Sequence, residues 1–300
     1  MNVGNWVGGV MPTTIDAAFN QFLSTLSTQR GETVAAANHR ASVQQCLHAN
    51  YGIIGFFLSG SFGHGTNVTG YSDADRFAIF PANRLYQDSA QSLGEIAQVL
   101  RQRFPTTGVR VDAPGIRLPF GYDGAELNEV IPVHQLSGDV RGYRIFGMPD
   151  GGGGWIRAIP EAHNAFVDHH HQRLSNKLKP LIRFLKAWKY ARGVPVKSFY
   201  LEMRAAAFAA KEQAIIYGMD LRSLFMAMAM DGLADVPDPF AVVNPVTACN
   251  TANQYLQVQA AARSATDIAQ DALWAEQNGR TVEAFHHWNN LFNGIFPAYG

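Results

Sequence analysis

The sequence predicts an α+β protein of two lobes, a strand-rich one followed by a helical one. Three observations carry this. Short apolar runs broken by glycine and proline cluster between residues 53 and 133. After the four-glycine loop Gly151–Gly154, apolar residues recur at helical spacing. The 300 residues also exceed the usual size of one domain. The expected division is residues 1–160 for the strand-rich lobe with its N-terminal helices, and 161–300 for the helical lobe.

Along the chain, Phe19, Phe22, Leu23 and Leu26, then Val43 and Leu47, fall near helical spacing and predict helix from about Thr14 to His48. Ile53-Ile54-Gly55-Phe56-Phe57-Leu58 reads as a buried strand ending at a Gly/Ser-rich turn over 59–66. A second strand over 74–80 stops at Pro81, and Leu93, Ile96 and Leu100 mark one side of a helix over 85–104. Strands follow at 108–112, 115–120 and 127–133. Pro160 opens a helical passage to about Arg192; Gly193, Pro195 and Ser198 separate it from an Ala/Leu/Met-rich helical stretch, 199–230. Residues 231–245 form a proline-containing loop, and helices cover 250–278 and 281–288.

Twenty-four basic and twenty-four acidic residues balance to zero. A protein that lives by long contacts with nucleic acid carries a basic excess, so small nucleotides are the better-matched ligands. No apolar run is long enough to cross a bilayer and no secretory leader is recognisable, which predicts a cytoplasmic chain without membrane attachment. Cys46 and Cys249 have no metal or disulfide spacing and are expected as buried thiols.

Gly60-Ser61-Phe62-Gly63-His64-Gly65-Thr66, with Ser72-Asp73-Ala74-Asp75 close behind, places a polar turn of phosphate size ahead of two carboxylates. On a strand, Asp73 and Asp75 point to the same face and can converge on a divalent cation, for which Mg²⁺ takes hard oxygen ligands together with substrate phosphates. Glu129 is the favoured third acid, because a carboxylate within Leu127-Asn128-Glu129-Val130-Ile131-Pro132 is costly unless paired or metal-bound; Asp112 is the second candidate. Amides around Gly60, with the hydroxyls of Ser61 and Thr66, are suited to β- and γ-phosphates. A Walker ending is absent.

From His169 to Leu201 there is no Asp or Glu, while Lys179, Arg183 and Lys186 form one helical stripe. That stripe is expected to face polyanion or solvent, with Lys186 neutralising outer phosphates and Ser198 adding a hydrogen bond. His169, His170 and His171 spread around a helix and read as surface or interlobe residues. Phe199 and Tyr200 are candidates for stacking on bases.

Taken together, these motifs resemble the DNA-polymerase-β-like nucleotidyltransferases, and most closely the bacterial CD-NTases, relatives of cGAS and oligoadenylate synthase. The first part of the resemblance is Gly60-Ser61-Phe62, Gly65-Thr66 and Ser72-Asp73-Ala74-Asp75, with Glu129-Val130-Ile131-Pro132 as the strand of the third acid. The narrower part is Gly153-Gly154-Trp155 through Pro160, Leu178-Lys179-Pro180-Leu181-Ile182-Arg183, Lys186-Ala187-Trp188-Lys189 and Lys197-Ser198-Phe199-Tyr200-Leu201-Glu202. The resemblance implies a bilobed fold with a mixed-sheet palm and a cleft holding two Mg²⁺ ions, or Mn²⁺. It assigns metal roles to Asp73, Asp75 and Glu129 and phosphate roles to Ser61, Lys186 and Ser198. It also implies cyclic di- or trinucleotide synthesis from ATP, GTP or other NTPs in antiphage defence, by a monomer open to a regulatory protein partner. Ala74 departs from the larger aliphatic residue usual between the acids, and Glu129 is one methylene longer than an Asp; neither change removes a charge.

The reaction so implied is attack of a ribose hydroxyl on the α-phosphate of an NTP with pyrophosphate leaving. Two alternatives use the same residues: transfer of one nucleotide to a protein, tRNA or small molecule, and nucleotide sensing without catalysis.

Overall fold

The computed structural model describes residues 11–27, 34–71, 74–121 and 126–300. Asp73 and Ser72 lie outside the described residues. The chain divides into two compact units. One takes the described residues of Met1–Thr28 with His170–Val236 and Val246–Gly300; the other takes those of Gln29–His169 with Pro237–Pro245. This differs from a single cut at residue 160.

Among the described residues, the sheet unit is built on seven strands: β1 (Gly55–Leu58), β2 (Ala74–Ile79), β3 (Arg110–Asp112), β4 (Gly115–Phe120), β5 (Glu126–Val140), β6 (Tyr143–Pro149) and β7 (Trp155–Ala158). Their order is β1-β2-β5-β4-β3, with β6 on β5 and β7 on β6. Only β2 and β5 run parallel; the other pairs are antiparallel. The sheet is therefore mixed, as the resemblance implies.

Alternation along the strands assigns the two faces. Ala78, Phe80, Ile116, Leu118 and Val130 bury against Val43 and Leu47 of α2 (Val34–Tyr51) and Leu93, Ile96 and Leu100 of α4 (Ser89–Arg103). Asp88 caps α4, its carboxylate accepting from the amides of Ala90 and Gln91. The other face carries Phe77, Ile79, Ile131, Val133 and Phe146. Because Phe77 and Asp75 are two apart on β2, the apolar cluster continues the face that bears the acids.

β5 extends to Val140, beyond the predicted end at 133, and β6 and β7 occupy a stretch that the sequence leaves unassigned. Gly151–Gly154 is a turn folded around Asp150, whose carboxylate accepts from Gly152 and Gly154 at 2.6 and 2.9 Å.

The helical unit contains α1 (Ile15–Leu26), α6 (Leu178–Ala191), α7 (Ser198–Ala209), α8 (Tyr217–Met230), α9 (Ala252–Gln277) and α10 (Thr281–Leu291). Phe19 and Phe22 of α1 pack on Phe184, Trp288, Phe292 and Phe296 with centroids 4.8–5.7 Å apart. That aromatic core explains why α1, early in the sequence, belongs with the helices. The predicted helix 160–192 is two: α5 (Pro160–Arg173) and α6, parted where Ser175 and Asn176 take left-handed backbone at φ 54° and 61°. His171 accepts from the amide of Lys179 at 3.2 Å, satisfying a donor in the first turn of α6. Both cysteines are buried free thiols. Among the described residues, no helix is long and apolar enough to cross a membrane.

Candidate functional site

In the sheet unit, Asp75 of β2 and Glu129 of β5 are direct register partners on adjacent parallel strands. Neighbouring strands lie about 4.8 Å apart, so side chains on one face share a small volume. The Asp75 carbonyl accepts from the Ser59 amide at 2.8 Å, which extends the β1–β2 pairing into the turn α3 (Gly60–Gly63). Ser61 therefore sits beside Asp75. Of the expected acids, Asp75 is the one whose backbone lies against the turn.

The carboxylates themselves lean toward different glycines. A Cβ on Gly60 would stand 1.7 Å from Asp75 Oδ2, and one on Gly115 would stand 2.5 Å from Glu129 Oε1. Gly115 belongs to β4, on the side of β5 away from β2. Convergence of the two acids on one ion thus requires Glu129 to rotate back toward β2. Both glycines are required by space, and Gly60 also by its φ of +54°. Gly60→Ala is expected to lose about 1–2 kcal/mol to left-handed backbone alone, before Asp75 is displaced; denaturant unfolding at parental stability would refute this.

Glu129 is buried at 9% exposure. Its antiparallel register partner is Arg117, whose Nε lies 2.9 Å from Asp112 Oδ2, close but not aligned as a hydrogen bond. Asp112, the alternative third acid, is on β3 and so three strands from Asp75. Strand register favours Glu129. Among the described residues no group of three His, Cys, Asp or Glu is assembled for a metal; Asp73 falls outside that set. Hard oxygens on adjacent strands, each beside a glycine that leaves it room to turn, fit Mg²⁺ or Mn²⁺ completed by phosphate oxygens.

On the opposite face a polar ladder stands behind the acids, without a signal in the sequence. Arg76 Nε donates to Asn128 Oδ1 at 3.5 Å, Asn128 Nδ2 donates to Glu126 Oε1 at 2.8 Å, and Glu126 meets His39 at 3.0 Å. Thr66 is fully buried, its amide donating to the Ser61 carbonyl at 2.8 Å. It closes the turn from behind, and its hydroxyl is not at the surface where a phosphate would lie.

In the helical unit, Lys186 is not on an outward stripe. It is fully buried and ion-paired with Glu202 of α7. The physical reason is its place among Ile182, Leu185 and Trp188 on the buried side of α6, where only a paired ammonium is tolerated. Ser198 accepts from Lys189 Nζ at 2.6 Å and lies 3.3 Å from the Tyr190 hydroxyl. Burial, followed by repulsion from Lys186 and opposed by Glu202, lowers Lys189 to about 8. Lys189 is thus the cation nearest Ser198, a role the sequence pattern Lys186-Ala187-Trp188-Lys189 left to Lys186. Tyr200 is buried with its hydroxyl donating to the Ala234 carbonyl at 3.0 Å, so it does not offer a ring face to a base; Phe199 stays exposed.

No family model matches the chain. A curated relative, a probable cyclic nucleotide synthase of Bacillus cereus, is 22% identical over 173 residues, 57% of this chain. The chain spans about half the length of that relative, 52%. Among solved structures, Escherichia coli MS115-1 CdnC with ATP has a TM-score of 0.74 at 17% identity, covering 94% of this chain and 98% of that one. CdnC in a complex with HORMA-deltaN gives 0.70 at 19% identity, covering 94% and 98%. The Bradyrhizobium diazoefficiens CD-NTase CdnG in complex with GTP gives 0.70 at 14% identity, covering 93% and 94%. Vibrio cholerae DncV, a cyclic AMP-GMP synthase in complex with the linear intermediate 5′ pppA(3′,5′)pG, gives 0.64 at 14% identity, covering 82% and 70%. At such identities the likeness speaks for architecture alone: the chain shares its fold with CdnC, CdnG and DncV.

Proposed function

We propose that the protein is a nucleotidyltransferase that joins NTPs with release of pyrophosphate and closes the product into a cyclic oligonucleotide. The observation that carries this reading is the pairing of Asp75 with Glu129 beside the Gly60–Ser61 turn, on a fold whose solved examples bind ATP, GTP or a linear dinucleotide. Asp75 and Glu129, with Asp73, are the residues to hold Mg²⁺. Bound there, the ion supplies charge stabilisation for the departing pyrophosphate and lowers the pKa of the attacking ribose hydroxyl.

The chain's own contribution is position and field. Ser61 and the amides after Gly60 orient the outer phosphates of the donor. Burial of Glu129 keeps its carboxylate in a medium where charge is felt strongly. With Lys186 engaged by Glu202, Lys189 is the cation that donates to Ser198 within the helical unit. In-line placement of a hydroxyl against the α-phosphate then accounts for most of the rate. A regulatory protein partner belongs to the same proposal; CdnC itself forms a complex with HORMA-deltaN.

Incubation with the four NTPs and Mg²⁺ or Mn²⁺ should release pyrophosphate and leave phosphatase-resistant products with the mass of cyclic di- or trinucleotides. A product still sensitive to phosphatase, or a nucleotide found attached to an added acceptor, would replace cyclisation with simple transfer. No pyrophosphate from any NTP would end the enzymatic reading.

A further inference from the structure

The turn α3 is four residues long with glycine at both ends. A single turn of this composition does not persist on its own hydrogen bonds. Its entry is held through the Ser59 amide on the Asp75 carbonyl. Its exit is held by a residue that the sequence reading did not single out: Asn164 of α5 donates from Nδ2 to the Gly63 carbonyl at 3.2 Å. The other side of that amide, Oδ1, is buried without a hydrogen-bond partner among the described residues. An apolar side chain would avoid that orphan oxygen, so stability does not explain an asparagine here. The bond to Gly63 does.

Asn164 is braced from a distant part of the sequence. The adjacent His163 is buried and meets Asp238 Oδ1 through Nε2 at 3.0 Å. Asp238 also accepts from the amides of Phe240, Val242 and Val243 at 3.3, 2.7 and 3.0 Å, which fixes the loop Pro237–Pro245. The Phe240 ring packs on His163, Phe166 and Tyr143 at 6.3–6.4 Å. Burial above all, with His64 adding and Asp238 opposing, holds His163 below the ordinary imidazole value, so the ring is neutral at neutral pH and donates to the carboxylate. His64 directly follows α3, so the same corner meets the turn twice.

We propose that Asn164 is a positioning residue for nucleotide binding: through the Gly63 carbonyl it fixes the turn that carries Ser61, and the Asp238–His163 pair holds Asn164 in place. The proposal rests on the nucleotidyl-transfer reading and names a determinant of its phosphate subsite.

The test is Asn164→Leu, which removes both the donor and the orphan oxygen at similar volume. Hydrogen exchange at the amides of residues 63–66 should quicken. KM for the best-used NTP should rise roughly fivefold to tenfold, the worth of one neutral hydrogen bond, with kcat changed much less and the unfolding midpoint held or raised. A merely structural residue would instead lower the midpoint and the active fraction and leave KM alone. If Asn164→Leu does not fold, Asp238→Asn, which keeps the shape and one of the two oxygens that accept from backbone amides, is read by the same two measurements. Faster exchange with unchanged KM overturns the proposal and leaves the transfer reading intact. Unchanged exchange overturns it outright. A parent protein that releases no pyrophosphate, with exchange still quickened in the variant, identifies the transfer reading as the part that failed and removes the nucleotide role with it.

Discussion

On the proposed nucleotidyl-transfer reading, Asp75→Asn is expected to lower NTP turnover by roughly 10³-fold or more, the scale on which charge stabilisation acts in phosphoryl transfer, while thermal unfolding stays within a few degrees of the parent. The substitution is isosteric, so the packing against Gly60 and the main-chain bond from Ser59 survive. What is lost is the negative charge on β2, in register with Glu129 on the neighbouring strand. Glu129→Gln should behave alike. Asp112→Asn should not, because Asp112 stands on β3 beside Arg117, three strands from Asp75. Pyrophosphate release measured for the three variants decides the matter: unchanged turnover in Asp75→Asn removes this face of the sheet from the chemistry, and a deep loss in Asp112→Asn reassigns the third acid.

Lys186→Ala is expected to destabilise the protein by about 3–5 kcal/mol, the cost of leaving one member of a buried ion pair without its partner. For a chain of this size that corresponds to a fall in unfolding midpoint of roughly 10 °C. Glu202, at 4% side-chain exposure, cannot be rehydrated without opening α6 from α7. The double change Lys186→Met with Glu202→Met should recover most of the loss, since apolar side chains of comparable volume remove both desolvated charges. A single Lys186→Ala variant that unfolds at the parental temperature would show that Glu202 finds water or another cation. The sequence alone suggests the reverse ordering, a strong effect on triphosphate use and a small one on folding.

That reversal shows what was legible and what was not. β1 and β2 stand out because their apolar runs end at glycine or proline, and the face shared by Asp75 and Glu129 follows from strand alternation. β6 and β7 do not stand out: Tyr143–Pro149 ends in a proline and contains Gly147, and Trp155–Ala158 is too short to show a period. The break between α5 and α6 is hidden because Leu174 and Leu178 keep helical spacing across it, both buried, although Ser175 and Asn176 between them are left-handed. The burial of Lys186 leaves no local sign because its counter-charge is on another helix, and helical periodicity sees only its own. Asn164 and Asp238, 74 positions apart, give no local signal for the same reason. Contacts of that kind exist only after the chain has closed on itself.

The loop Pro237–Pro245 belongs to the sheet unit, and α1 to the helical one. On the ribosome this imposes a wait at both ends of the message: α1 emerges long before the aromatic residues near position 290 that cover Phe19 and Phe22, and the palm lacks Asp238 until most of the helices have been made. Neither unit can mature as a nascent stretch on its own, so folding is gated by late translation, in contrast to domains that form one after another as they are synthesised.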